Sequence, residues 1–327
     1  SNVDYAGSTQ SVANAAVYGN LWITAAGNKT AIVPFTTLGN FTLSAGTFTS
    51  AITVTHYIGG NWLMSGGTFT NTNITIQLNG DDDQSISSTG NFRNLVVNKT
   101  TGLVTLASHV TVSNLLTLTS GKISLLGYNL TIPTTATIAG ASSSKYVIAE
   151  GAGLLIMQVT ASGSKTFPVG TTVDYVPATI ALTAGSTTDN FRVRVQNYVV
   201  SKGTSGNVLT HFAVNNTWFI SEEISGASDA TVTLQWPLSL ELLGFERIQA
   251  RVSQSSGSFY QFGPNSPAAG ANPYTSNKVN VTTFFAFAVL NNVVVLDVSW
   301  LNVIGENKNG DNHIKWNVAN ERANNNY

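Results

Sequence analysis

Asp81-Asp82-Asp83, set between Gly80 and Gln84, is the one clustered run of charge in residues 1–140. Hard cations bind groups of oxygens, so Asp81 and Asp83 are the candidate ligands for a Ca²⁺ ion. Neighbouring side chains on a strand point to opposite faces, so at most two of the three carboxylates converge. The other reading of the run is a solvated turn. Elsewhere in this stretch the charged side chains are Asp4, Lys29, Arg93, Lys99 and Lys122. The histidines His56, His109, His211 and His313 lie at least 53 residues apart, with no metal-ligand spacing. There are no cysteines, which removes disulfides, thiolate nucleophiles and thiolate metal sites together. Lyases and hydrolases on parallel β-helices need several carboxylates converging on one face. The chain is therefore read as non-enzymatic, with no cofactor beyond the candidate calcium.

Composition points the same way. Of 327 residues, 9% are charged, where about 25% is usual, and fifteen basic against sixteen acidic residues leave a net charge of −1. Nucleic acid and anionic membranes are gripped by clustered positive charge, so neither is an expected partner. No apolar run reaches the ~20 residues that a membrane-spanning helix needs. Val, Ile, Leu, Thr and aromatic residues recur throughout, so low charge here means β-structure and not disorder.

What must position these groups is a repeat. Gly39-Asn40-Phe41 with Gly46-Thr47-Phe48 recurs as Gly60-Asn61-Trp62 with Gly67-Thr68-Phe69, an offset of 21. A second correspondence, at an offset of 74, aligns Gln10, Tyr18 and Asn20-Leu21 with Gln84, Phe92 and Asn94-Leu95. Asn114-Leu115-Leu116 with Gly121-Lys122-Ile123 is a looser third copy. Apolar residues alternate in Phe41-Thr42-Leu43, Leu95-Val96-Val97 and Leu116-Thr117-Leu118, the period of a strand. Short strands on a period near 21 residues suit the coils of a β-solenoid, about six or seven of them before residue 140. The recurrent asparagines are read as corner residues whose amides bond backbone from coil to coil.

Ala139-Gly-Ala-Ser-Ser-Ser144 reads as a junction, and longer alternating strands follow at 145–148, 154–160, 179–183, 191–196, 231–236 and 284–290. The expected fold class is all-β: a parallel β-helix-like solenoid over 1–140, a β-sandwich over 141–291, and over 292–327 the first strands, at 293–300 and 312–316, of an immunoglobulin- or fibronectin-like module. Two strands are marginal alone, so the chain is read as an excerpt of a longer polypeptide.

Leu78-Asn-Gly80, Gln84, Phe92-Arg-Asn94-Leu95 and Leu116-Thr-Leu-Thr-Ser-Gly121 resemble the repeats of large secreted and surface proteins of Bacteroidota. Thr166-Phe-Pro-Val-Gly170, Asn216-Thr-Trp218 and Leu234-Gln-Trp236 are similar to the domain that follows the solenoid there. Leu296-Asp-Val-Ser-Trp300 and Ile314-Lys-Trp316 look like the next, fibronectin-like module. The resemblance implies export by type IX secretion, a cell-surface or extracellular place, and a structural or adhesive role.

Trp62, Trp218 and Trp236 are read as core. Trp22, between Leu21 and Ile23, points outward and is a candidate interface residue, with stacking on a sugar as the other reading. Val293 and Val295 are further interface candidates, in a strand read as available for donation to a neighbour. The expected partners are copies of the chain packed end to end or flanking modules of the same polypeptide, and surface glycans. Carbohydrate binding or polysaccharide-active chemistry is the alternative function. Thr-x-Thr pairs at 47/49, 53/55, 68/70 and 117/119 raise ice binding, but they do not hold one register throughout, so strand propensity explains them. Asn-x-Thr triplets are expected in a chain so rich in both residues.

Overall fold

A computed structural model describes residues 1–12, 17–72, 74–291 and 299–319. The chain is all-β, and its N-terminal part is a β-solenoid of about eight turns. Two compact units divide it, residues 1–291 and 292–327.

Each coil is built from short strands on up to three faces. The first face stacks nine parallel strands: Val3–Tyr5, Leu21–Ile23, Phe41–Leu43, Trp62–Met64, Gln84–Ser87, Val104–Leu106, Ile123–Ser124, Val147–Ile148 and Val169–Gly170. The second face has four, Gln10–Val12, Asn28–Ala31, Thr47–Ser50 and Thr68–Phe69. The third runs from Val17–Tyr18 through Val54–Ile58, Ile74–Leu78, Phe92–Asn98 and Val110–Ser120 to Leu155–Val159. Alternation sets the burial: in Phe41–Leu43 and Trp62–Met64 the outer two side chains face inward and the middle one outward. Inward residues stack on their counterparts one coil away, as Phe41 does on Trp62 with ring centroids 4.4 Å apart. Phe48 and Phe69 stack likewise at 5.9 Å. Gly46 and Gly67 sit at matching corners with φ of +75° and +70°. A Cβ on Gly46 would lie 2.5 Å from the carbonyl oxygen of Ala25, so the 21-residue recurrence of glycine there is both conformational and steric.

The 21-residue offset is a true coil: Phe41 pairs with Trp62. The 74-residue offset is not. Gln10 lies on the second face and Gln84 on the first, while Leu21 is on the first face and Leu95 on the third. Coils vary in length, from Val104 paired with Ile123 to Ile123 paired with Val147, and 74 residues span no whole number of them. Asn114-Leu115-Leu116 also belongs to the third face and does not align with Asn40 and Asn61.

Asn40 and Asn61 do what corner amides are expected to do. Asn20 Oδ1 accepts from the Asn40 N–H at 2.7 Å, Asn40 Oδ1 from the Asn61 N–H at 2.8 Å, and Asn61 Oδ1 from the Ser85 N–H at 2.7 Å. Asn2 begins the ladder by accepting from the Asn20 N–H at 2.9 Å. Asn94, on another face, bonds Thr75 and Asn114 through side chains. Asn40→Ala strands one half-buried N–H and is expected to cost about 1–2 kcal/mol, while Asn40→Asp keeps the acceptor and most of the stability. Urea unfolding of the two variants checks this; equal losses would show that the amide ladder is not what Asn40 contributes.

The change of architecture falls later than residue 140, because the parallel ladder of the first face continues through Val147–Ile148 to Val169–Gly170. Leu155–Val159 is the switch strand: it pairs parallel with Leu130–Ile132 and antiparallel with Asp189–Gln196. The third solenoid sheet thereby runs on through Thr217–Glu222, Ala286–Asn291 and Ala250–Ser255. A separate antiparallel sheet orders Ser164–Phe167, Ala178–Leu182, Ala230–Trp236 and Tyr274–Val281. Buried residues of both belong to the hydrophobic cluster that also fills the solenoid, and a smaller cluster gathers Val199, Ala213, Tyr260, Ala288 and Leu290.

In residues 292–327 the described part is one hairpin, Ser299–Lys308 paired with Asp311–Ala319. Asn309 and Gly310 both have positive φ, the conformation a two-residue hairpin turn demands and Asn-Gly supplies. The first strand of this hairpin extends to residue 308, beyond the expected limit at 300. Val293 and Val295, with most of the strand proposed for donation, lie outside the described residues.

Candidate functional site

Many polar side chains of the solenoid bond from one coil to the next. Lys29 is fully buried on the second face, and its ammonium donates to the carbonyl oxygens of Ala25 and Ala26, both at 3.0 Å, and of Ser8 at 3.2 Å. Lys99 is also buried and donates to the carbonyls of Gly80 and Asp82 and, at 3.1 Å, to Gln84 Oε1. Burial lowers the Lys99 pKa, opposed by the charges of Asp83, Asp81 and Asp82. Parity along the strands already places these groups inside: Lys29 alternates with Ala31, and Lys99 follows Leu95 and Val97. His56 does the same between Val54 and Ile58.

Asp81, Asp82 and Asp83 form an exposed corner between Ile74–Leu78 and Gln84–Ser87. Asp81 Oδ1 accepts from Thr100 Oγ1 and Asp83 Oδ1 from the Leu103 N–H, each at 2.7 Å. Both carboxylates tie their corner to the next coil, and among the described residues no group of three or more His, Asp or Glu is placed to hold a metal. A solvated, coil-bridging turn should leave the melting temperature unchanged on adding chelator. A calcium-dependent rise of several degrees would establish the ion site instead.

Trp22 is half-buried in the middle of Leu21–Ile23, on the outer side, between Asp4 and Thr42 in register. Asp4 is engaged by Thr24 Oγ1 at 2.8 Å. Trp62, Trp218 and Trp236 are fully buried; the indoles of the last two donate to the Val176 carbonyl at 2.8 Å and to Glu241 at 3.1 Å.

Two neighbouring cavities, of about 410 and 370 Å³, lie where the solenoid gives way to the antiparallel sheets, and Tyr175 lines both. Lys165 lines the first, and Asp174, Gln235 and Asn272 the second. Burial raises the Tyr175 pKa, so its hydroxyl is neutral near pH 7. No sequence signal marks this place: the first cavity is walled by residues between Thr137 and Tyr175, and the second adds Gln235, Pro237, Asn272 and Pro273 from far along the chain. Comparison with protein-family models, with curated proteins and with solved structures finds no match for the chain.

Proposed function

We propose that this chain is a non-enzymatic structural or adhesive segment of a long extracellular bacterial surface protein, of the Bacteroidota type IX secretion kind, in which a β-sandwich and a fibronectin-like module follow the solenoid. The observation that carries the reading is the use of the solenoid's charged and amide side chains: Lys29 through the Ser8 carbonyl, and Lys99, Asp81, Asp83 and the asparagine ladder, all bond coil to coil. Such groups stiffen a rod and are not held ready for a substrate. Outward Trp22 supports contact with copies of the chain or with flanking modules.

Carbohydrate binding is the second reading, and the cavities at Tyr175 favour it: their size suits sugar rings, and an aromatic with Lys, Asp, Gln and Asn beside it is a mixture that holds sugars. A glycan array combined with a screen for lyase and hydrolase turnover separates the two. Turnover would overturn the non-enzymatic role, and glycan binding abolished by Tyr175→Ala would move the adhesive site to the cavities.

A further inference from the structure

The second face of the solenoid carries an array that the sequence spacing hides. Asn28 pairs with Thr47 and Thr47 with Thr68; Ser11 pairs with Thr30 and Thr30 with Thr49. The same register sets Thr9 beside Asn28 and Thr70 beside Thr49, where the Thr70 N–H donates to the Phe48 carbonyl at 2.9 Å. Four coils thus present two ranks, Thr9-Asn28-Thr47-Thr68 and Ser11-Thr30-Thr49-Thr70. Thr-x-Thr looks irregular in sequence because the coils differ in length and Asn28 and Ser11 replace two threonines. Thr53/Thr55 and Thr117/Thr119 belong to other parts of the coil.

These side chains are exposed or half-buried, and none of the eight makes a hydrogen bond among the described residues, unlike the hydroxyls of Thr24, Thr100, Ser108 and Ser113. No charged group stands among them: Lys29, the lysine of these strands, is turned inward and held by backbone carbonyls. The ladder has no bulge, and the rings of Phe48 and Phe69 stack beneath it. Ile32 and Ile52, 41% and 44% exposed, stand at its edge.

We propose that this face binds ice. Hydroxyls repeat about 4.8 Å apart across the strands and about 6.7 Å along them. A surface periodic in two directions matches a crystal of water, where oxygens repeat at comparable intervals in two directions; a single polysaccharide chain repeats in one. Unspent hydroxyls continue the lattice of water molecules, the threonine methyls leave the water between them ordered, and the absence of charge avoids a hydration shell incompatible with ice. The inference goes beyond the adhesive role and supplies it with a ligand. Turnover in the enzyme screen would sink that role and leave this face to be judged separately.

The test uses the full 327-residue chain. Nanolitre osmometry and partition into a slowly growing ice shell are expected to show faceted crystals, a freezing-point gap and enrichment in the ice. Thr49→Lys and, at the end of the array, Thr68→Lys should abolish all three, with melting curves confirming that the variants fold. Asn28→Thr completes a rank and should increase the gap. Thr117→Lys, on the third face, should change nothing. Unshaped ice with both the wild-type chain and Asn28→Thr would overturn the proposal. So would activity that survives both lysine variants, or binding to crystalline cellulose or chitin through this face without any effect on ice.

Discussion

Trp62→Ala is expected to cost about 3–5 kcal/mol, among the largest effects of any single substitution in the solenoid. The indole is fully buried in the fourth coil and stacks on Phe41 of the third at 4.4 Å. It also meets Phe92 of the fifth coil at 5.4 Å and Phe69 of its own at 5.0 Å. In a solenoid the stability resides largely in contacts between neighbouring coils, so a cavity here weakens two such interfaces at once. Trp62→Phe should behave very differently. The Trp62 indole N–H is buried without a hydrogen-bond partner among the described residues, and phenylalanine removes that orphan donor while keeping the stack. Phe41, its register partner, shows that the smaller ring fits this column. Denaturant unfolding of the two variants is the measurement: a loss near zero for alanine, or equal losses for both, would show that the aromatic column does not hold the coils together.

The second large effect is acid sensitivity centred on His56. Its ring is fully buried and stacked on Phe35 with centroids 4.0 Å apart, and Nδ1 accepts the Phe35 N–H at 3.3 Å. The proton therefore sits on Nε2, which has no partner among the described residues. Burial lowers the pKa from 6.5 to about 4. The unfolded chain takes up a proton near pH 6.5, whereas the folded chain resists it until about pH 4. Stability from this group is thus complete above pH 6.5 and is lost as pH falls through that window, by about 3 kcal/mol in all. His56→Leu should remove this part of the pH dependence, although at neutral pH the variant is weakened by the Phe35 N–H left without its acceptor, about 1–2 kcal/mol. Unfolding free energies of both proteins at pH 7 and pH 4 decide it, since every other titration cancels in the comparison. The same pH dependence in both would remove His56 as the acid-labile point.

The sequence by itself determined the all-β class, the solenoid, and the inward or outward sense of individual side chains. Strand alternation is local, so Trp22 reads as outward and Trp62 as inward from their neighbours alone, and Lys29, Lys99 and His56 have the inward parity for the same reason. The corner amides were also legible, because Asn40 and Asn61 fall in consecutive coils of equal spacing. Register was not. Coils of unequal length make a fixed offset fail after one or two turns, which is why the 74-residue correspondence joined different faces and the threonine ranks looked irregular. Only pairing of backbones decides which residues stand side by side, and it set Thr9, Asn28, Thr47 and Thr68 in one line. Tertiary structure likewise decided that Leu155–Val159 serves two sheets at once, moving the change of architecture past residue 140, since a strand's sequence does not say whether its next neighbour runs parallel or antiparallel. The second cavity at Tyr175 brings Asp174 beside Gln235 and Asn272, far apart in the chain, and proximity of that kind exists only once the core has closed.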